Sequence, residues 1–267
     1  MPVTTSYPGL YIEELPSSAR AIIAAPTSIT VFVGYVHPFL GLCAENGKWG
    51  QPIRIFSFTD YERQFGGLYR SSRIGRSHVA DAVSQFFLNG GADAYVVGLQ
   101  PQYFYDDAKP EGVDPAENDL GSTNLHFTSR QLTDDADKVT VTVRNPRQTL
   151  GTPNDTADFV IAFSTHVETY RGVTLKTGDR NFIETRLGDS KLVKVSPSAG
   201  SYPTSFSIPS PANQVSLDLG DMRPPTAGYK LSRASDFEDV FKADAPLDKV
   251  DIFNLLVLPH ESDAGVL

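Results

Sequence analysis

The chain contains 267 residues, of which 40% are hydrophobic and 21% are charged, and its formal net charge is -9. This composition is typical of a globular protein that buries a core, and it argues against intrinsic disorder. The acidic balance argues against a nucleic-acid partner, because phosphates require clustered Lys and Arg. The sequence lacks a run of about 18 apolar residues that would predict a membrane-spanning helix, so we expect no direct membrane insertion.

The amino terminus and the cysteine content both indicate assembly in the cytoplasm. Prolines, a glycine and two glutamates interrupt the first residues, which lack the basic start and apolar stretch of a secretory signal. The single cysteine, Cys43, cannot form an internal disulfide, which fits a reducing compartment. We expect Cys43 to be a buried small hydrophobe.

Residues 1–22 predict an extended arm. Tyr11 and Ile12 favour a strand, but Pro16 follows them, so a strand here cannot pair locally and needs a sheet edge from elsewhere. Another chain is one possible source of that edge. The segment that we expect to make this contact, YPGLYIEE, consists of Tyr7, Pro8, Gly9, Leu10, Tyr11, Ile12, Glu13 and Glu14.

The segments after the arm predict an α/β domain. Ile29–Tyr35 is β-branched and aromatic, which is typical of a buried strand, and Ile53–Phe58 predicts a second strand. Apolar residues then recur at helical spacing over residues 79–87, and a third strand is predicted at Ala94–Leu99. Strand, helix and strand at this short spacing indicate a parallel α/β layer.

Three further helix starts are predicted from capping patterns. Thr59 with Glu62, and Ser235 with Glu238, form capping boxes, while Asp179 precedes a short apolar helix that ends near Leu187. Each pattern places an oxygen acceptor where the first turn of a helix leaves backbone N–H groups without partners.

The middle of the chain predicts a β domain inserted into the α/β domain. Pro101–Asp119 is acidic and Pro-rich and is interpreted as a linker or surface loop. Five segments after it alternate apolar and polar residues with a period of two, which favours a sandwich or a barrel. They are Lys138–Arg144, Ala157–Ser164, His166–Tyr170, Leu192–Val195 and Gln214–Leu219.

The α/β pattern returns near the carboxyl end, where Val250–Leu258 predicts a buried strand. The predicted organisation is therefore an arm at 1–22, an α/β core at 23–105 and 226–267, and the inserted β domain with its linker at 106–225. A buried parallel strand needs both faces covered, so we expect further polypeptide or a partner to cover the last strand.

Four segments, in this order, resemble the contractile tail sheath family of tailed phages, R-type pyocins and extracellular injection systems. They are YPGLYIEE, AVSQFFLNGGADAYVVGL at 82–99, HVETYRGVTLKTGDRNFIETRLGDSKLVKV at 166–195 and DIFNLLVLP at 251–259. The resemblance covers essentially the whole chain. It implies a subtilisin-like α/β sheath domain with an inserted β-sandwich, and the family's carboxy-terminal domain would lie beyond Leu267.

The resemblance also implies a structural role and a set of partners. Sheath subunits form helical polymers, as stacked hexameric rings, around an inner tube that contraction drives through a target envelope. The arm would add a strand to a sheet of a neighbouring subunit, with Tyr7, Leu10, Tyr11 and Ile12 as anchors. Other implied partners are the inner tube, through regions absent from this chain, and the baseplate and cap proteins. The particle would be a phage tail or a tail-like particle, with release from the cell left open.

No catalytic, metal or cofactor site is predicted. The five histidines are not accompanied by a G-x-S-x-G elbow, and the segment GLCAENGKW at 41–49 lacks the spacing of a phosphate loop. A zinc site is not predicted, because the sequence contains no histidine pair at i, i+4 and no cysteine pair. The acidic loop at 106–119 lacks the D-x-D-x-D-G pattern of a calcium-binding loop. Two alternatives stay open: another contractile-tail component, such as a cap or baseplate protein, and an α/β hydrolase or carbohydrate-active enzyme with a β accessory domain.

Overall fold

The structure is a computed structural model, and it describes residues 29–72, 74–103, 111–120, 124–134, 136–208, 214–222 and 234–259. Within these ranges the chain forms two structural units. One, called here the α/β unit, contains a mixed four-stranded sheet with helices on both faces. The other, called the β unit, contains two antiparallel sheets and one short helix.

The α/β unit is built from segments at both ends of the described chain. In its main sheet, β1 (Thr30–Tyr35) pairs in parallel with both β15 (Leu255–Val257) and β5 (Ala94–Leu99). The fourth strand, β2 (Pro52–Ile55), is antiparallel to β5, so the order is β15-β1-β5-β2. A small hairpin, β3–β4, connects α2 to α3. The elements are β1 Thr30–Tyr35, α1 Leu42–Glu45, β2 Pro52–Ile55, α2 Phe58–Phe65, β3 Arg70–Ser71, β4 Gly75–Arg76, α3 His78–Leu88, β5 Ala94–Leu99, α5 Ala234–Phe241 and β15 Leu255–Val257, with a 3-10 turn at Pro246–Lys249.

The two faces of the main sheet have separate cores, because side chains alternate across a strand. Phe32 of β1 meets Phe86 of α3 edge to face, with ring centroids 5.6 Å apart, on the face that α2 and α3 cover. Val31 and Val33 point to the other face, where they pack with Phe237 of α5. The predicted parallel layer is confirmed in part. β1 and β5 pair in parallel, whereas β2, the predicted strand that precedes the helices, is antiparallel to β5.

Two glycines allow α2 to approach the sheet closely. Gly66 ends α2 in the left-handed conformation, with φ of 85°, and its N–H donates to the carbonyl of Glu62. A Cβ at Gly98 of β5 would lie 2.9 Å from the ring of Phe65. Glycine at both positions lets the end of α2 pack against β5.

The β unit consists of a four-stranded sheet of order β12-β11-β10-β14 and a three-stranded sheet of order β13-β9-β8. Both sheets contribute to one core, in which Phe127 of one sheet and Phe159 of the other have ring centroids 6.3 Å apart. The elements are β8 Glu117–Asp119, β9 Leu125–Ser129, β10 Val139–Arg147, β11 Thr156–Phe163, β12 His166–Thr174, α4 Ile183–Leu187, β13 Val193–Pro197 and β14 Gln214–Asp218, preceded by the short pair β6 Gln102–Tyr103 and β7 Glu111–Gly112.

The mixed α/β fold with several sheets is confirmed, whereas the three predicted caps are wrong. Ser57, two residues before Thr59, caps α2 by accepting the N–H of Asp60. The carboxylate of Asp179 accepts the N–H of Asn181 in the turn before α4, which begins at Ile183. Ser235 lies inside α5 instead of in front of it. Each pattern marked the correct neighbourhood, and near α2 and α4 a different local hydrogen bond was formed from the one predicted.

Three strand predictions need correction. Part of the predicted linker is β structure, because β8 pairs antiparallel with β9, and β9 itself was not predicted. Ile53–Phe58 is a strand only as far as Ile55. The predicted strand Val250–Leu258 is limited to β15, and its residues are exposed or half-buried. The domain boundaries stay predictions, since residues 104–110 and 223–233 fall outside the described ranges.

Candidate functional site

The predicted contact segment, Tyr7–Glu14, lies outside the described residues, so its placement stays a prediction. What the structure does describe is the set of sheet edges that could receive a strand. In the main sheet these edges are β15 and β2. The exposed surfaces of that sheet are therefore the candidate sites for strand addition.

The edge formed by β15 and the residues before it is apolar and exposed. Five of the eleven large exposed hydrophobic side chains among the described residues fall within residues 241–256. Leu255 is 55% exposed and Leu256 is 40% exposed. Exposed apolar edge strands are uncommon in monomeric proteins, because they pair with other chains. The five side chains, called here the β15 edge, are Ile252, Phe253, Leu255 and Leu256 in and before β15, together with Phe241 at the end of α5.

Specific hydrogen bonds fix the β15 edge in parallel register against β1. The backbone N–H of Leu255 and that of Asn254 both donate to the carbonyl of Ile29, and the Asn254 side-chain oxygen accepts the N–H of Ile29 at 3.1 Å. Thr30 is therefore paired with Leu255. One side of β15 is occupied by β1, and among the described strands none occupies the other side.

A second notable feature is the junction between the two units, where the Asp134 carboxylate is held by four donors. One oxygen accepts the backbone N–H of Ser72 at 2.8 Å and its hydroxyl at 2.7 Å. The other accepts the N–H groups of Ala136 and Asp137, both at 2.9 Å. Hydrogen bonds from Ser72 hold the pKa of Asp134 well below its usual range. Because Ser72 follows β3, this carboxylate joins the β3–β4 hairpin to the β unit.

An apolar cluster and an ion pair reinforce the same junction. Ile74 of the hairpin packs with Leu132 and Met222, which is fully buried. Arg130 pairs with Glu45 of α1 at 3.3 Å. Burial of the apolar cluster is the larger contribution, because exposed ion pairs add at most about 1 kcal/mol.

His37, which follows β1, is a buried structural group. Its Nδ1 accepts the backbone N–H groups of Phe39 and Leu40, both at 3.1 Å. Burial lowers the pKa of His37 to about 3, so the imidazole is neutral. Its Nε2 must then carry the proton, and this nitrogen is buried without a hydrogen-bond partner among the described residues. The Tyr69 ring lies edge to face at 5.5 Å.

A second histidine lies near a serine and carboxylates, but the geometry differs from that of a catalytic triad. His126 contacts Asp119 at 3.0 Å and Glu117 at 3.3 Å. The Ser198 hydroxyl donates to Asp119 at 2.6 Å, so its proton is directed to the carboxylate and not to the imidazole. A triad requires the hydroxyl to face the histidine base. Hydrogen bonds from Ser198 and His126 lower the pKa of Asp119.

The remaining candidates from the sequence are placed as follows. Cys43 is fully buried, and burial raises the pKa of its thiol to about 11, which keeps it protonated and unreactive. Among the described residues, His, Cys, Asp and Glu side chains do not form a group of three or more suited to a metal ion. In the same ranges no helix is long and apolar enough to cross a membrane.

The described elements thus define a mixed α/β protein with several sheets. No protein-family profile and no curated protein sequence matches the chain. Among solved structures, the chain is similar to the sheath tail protein Lin1278 from Listeria innocua, with 12% sequence identity and a TM-score of 0.43. The alignment covers 91% of this chain and 43% of that one, so this chain spans less than half the length of the sheath protein.

Proposed function

We propose that this chain is part of a structural subunit of a contractile tail sheath, which polymerises helically around an inner tube and contracts to drive the tube through a target envelope. The observation that carries the proposal is the order of the four sheath-like segments along the chain. The last of them, DIFNLLVLP, contains four of the five side chains of the exposed β15 edge. The sequence resemblance and the exposed apolar surface therefore coincide.

The physical basis for assembly is the open side of β15. A strand at a sheet edge presents backbone N–H and C=O groups, and these bind an added strand with little dependence on its side chains. The exposed Leu255 and Leu256 would lose apolar surface to water when that strand, or further sheath polypeptide, covers them. Burying them would contribute about 1 to 2 kcal/mol each.

The arm is proposed as a second link between subunits. Tyr7, Leu10, Tyr11 and Ile12 would anchor it in a neighbouring subunit, while Glu13 and Glu14 stay hydrated. Main-chain pairing can persist while the folded bodies reorient. A link of this kind would keep subunits connected through contraction.

The finer features of the family complete the proposal. The α/β unit would correspond to the subtilisin-like sheath domain, and the β unit to the inserted β-sandwich, whose shared core is consistent with that assignment. Contacts with the inner tube would be made by regions absent from this chain, and the baseplate and cap proteins would be further partners. The chain would act without catalysis, assemble in the cytoplasm and belong to a phage tail or a tail-like particle.

Negative-stain electron microscopy of the full-length gene product tests the assembly. Sheath-like tubes are expected for the unaltered protein, and they are expected to disappear when residues 1–14 are deleted while the circular dichroism spectrum stays native. Monomers at every concentration would contradict the sheath proposal. Normal tubes from the deletion variant would remove the arm from the mechanism.

A matched pair of substitutions tests the β15 edge separately. Leu256→Asp places a charge on the edge, whereas Leu150→Asp places one at a similarly exposed leucine in a turn of the β unit. We expect only Leu256→Asp to block tube formation, because a buried unpaired charge is costly at a strand contact. Equal behaviour of the two variants would exclude the edge as an assembly surface.

A further inference from the structure

A cleft of about 300 Å³ lies between the carboxyl end of β5 and helix α5. It occupies the region where ligands of α/β sheets usually bind, beyond the carboxyl ends of parallel strands. Nothing in the proposed sheath function assigns it a role. Its lining residues are Trp49, Gly50, Leu99, Gln100, Gln102, Asp236, Asp239, Val240 and Pro246.

The walls of this cleft combine an apolar floor with a rim of hydrogen-bond acceptors. Leu99 and Val240 are buried members of the core beneath α5. Trp49 forms an aromatic wall, held in place because the N–H of the next residue, Gly50, donates to the carbonyl of Gly98 at 2.9 Å. The rim carries the carboxylates of Asp236 and Asp239, and the lining residues that the structure describes include no Lys, Arg or His.

The surroundings of the cleft add to its negative potential. The segment 236–251 carries six carboxylates and only two lysines, Lys242 and Lys249. Lys242 forms an ion pair with Asp239 and offsets part of this negative charge, whereas the uncharged Tyr35 hydroxyl donates to Asp236 at 2.9 Å. Like charges gathered around a concave surface concentrate ions of the opposite sign there.

We propose that this cleft binds a basic side chain, arginine or lysine, that is presented by a protein partner. Such a side chain has an aliphatic stem, which suits the floor of Leu99 and Val240, and a cationic head, which suits the carboxylate rim. A cation over an indole ring gains about 0.5 to 2 kcal/mol. Arginine fits best, because its planar guanidinium both stacks on an aromatic face and donates several hydrogen bonds.

The fluorescence of Trp49 provides a direct test, because it is the only tryptophan in the chain. The probe is N-acetyl-arginine methylamide, and its matched control is the citrulline compound, which has nearly the same shape without the charge. We expect a saturable fluorescence change with the arginine probe and a much smaller one with citrulline. Weak affinity, in about the millimolar range, is expected for a single side chain.

Two substitutions separate the cleft from general electrostatics. Asp239→Asn removes a rim carboxylate, whereas Asp248→Asn removes an exposed carboxylate that is not part of the lining. We expect Asp239→Asn to weaken arginine binding about threefold to fivefold, while Asp248→Asn leaves it nearly unchanged. Both side chains are exposed, so folding should be retained, and circular dichroism checks this.

Three outcomes would overturn the proposal: equal responses to arginine and citrulline, a response only to a neutral sugar such as the trimer of N-acetylglucosamine, or no saturable change with arginine. None of these measurements requires a polymer. Failure of the cleft proposal is therefore distinguishable from failure of the sheath proposal, which electron microscopy decides.

Discussion

The α/β unit and the β unit differ in how completely their own residues cover their apolar surfaces. In the β unit two sheets enclose one core, and Phe127, Phe159 and Ile161 are fully buried. In the α/β unit one sheet has helices on both faces, yet its β15 edge remains exposed. The contrast shows that the β unit buries its apolar side chains in one internal core, whereas the α/β unit leaves large apolar side chains exposed at and near β15.

The largest change in the free energy of unfolding is expected from a substitution at the centre of the β unit, and it tests this contrast. Phe159→Ala removes a fully buried ring that contacts Phe127 and Phe206, and it should lower the free energy of unfolding by about 3 to 5 kcal/mol. Leu256→Ala on the exposed edge is the control, with an expected change within about 0.5 kcal/mol. Urea denaturation of both variants makes the comparison. Equal losses would show that the edge is packed as tightly as the core.

A smaller effect is expected at the junction that joins the units. One Asp134 oxygen accepts both the N–H and the hydroxyl of Ser72. Asp134→Asn replaces it by an amide N–H₂ group, which cannot accept these bonds, and should lower the free energy of unfolding by about 2 to 3 kcal/mol. Asp137→Asn changes an exposed carboxylate in the same loop and should be nearly neutral. Limited proteolysis and urea denaturation measure the difference. Faster cleavage between the units only in Asp134→Asn is the expected pattern, and identical digestion of both variants would contradict the role of Asp134.

The third expected effect is the smallest when it is counted per pH unit, and it concerns the pH dependence of stability through His37. The pKa of His37 is lowered by burial to about 3 in the folded protein, below the usual histidine value of 6.5, so the unfolded state binds the extra proton between these pH values. Stability should therefore be complete above about pH 6.5 and decline as the pH falls, by up to about 1.4 kcal/mol per pH unit. Carboxylates whose pKa is lowered, such as Asp134, contribute stability to the folded protein that is lost only below about pH 4.

His37→Asn isolates that contribution, because an asparagine oxygen can accept the same N–H groups of Phe39 and Leu40 without titrating. Between about pH 4.5 and 6.5, the variant should show a flatter dependence of unfolding free energy on pH than the unaltered protein. Urea denaturation at a series of pH values provides the measurement. Parallel pH profiles would mean that His37 is protonated in the folded protein, or that its pKa is the same in the folded and unfolded states.

Local patterns were sufficient to predict the elements whose side-chain periodicity is strong. The strand at Ala94–Leu99 has the predicted bounds, and the helix predicted from Val79 to Phe87 lies within α3. Helix starts were less accurate, because several neighbouring side chains can accept the same free N–H groups, as Ser57 does in place of Thr59. The alternation of the β segments predicted their strands, but β9 was missed although it alternates in the same way, because only two large apolar residues, Leu125 and Phe127, mark it.

The sequence by itself determined the acidic balance, the succession of α/β and β segments and the position of the apolar segment near the carboxyl end. Only the tertiary structure decided that this segment lies exposed at a sheet edge, that Asp134 joins the β unit to Ser72, and that Trp49 lines the same cleft as Asp236 and Asp239. The physical reason is that periodicity and capping act over a few residues. Exposure, junctions and clefts arise from contacts between residues far apart in the chain, such as Trp49 and α5.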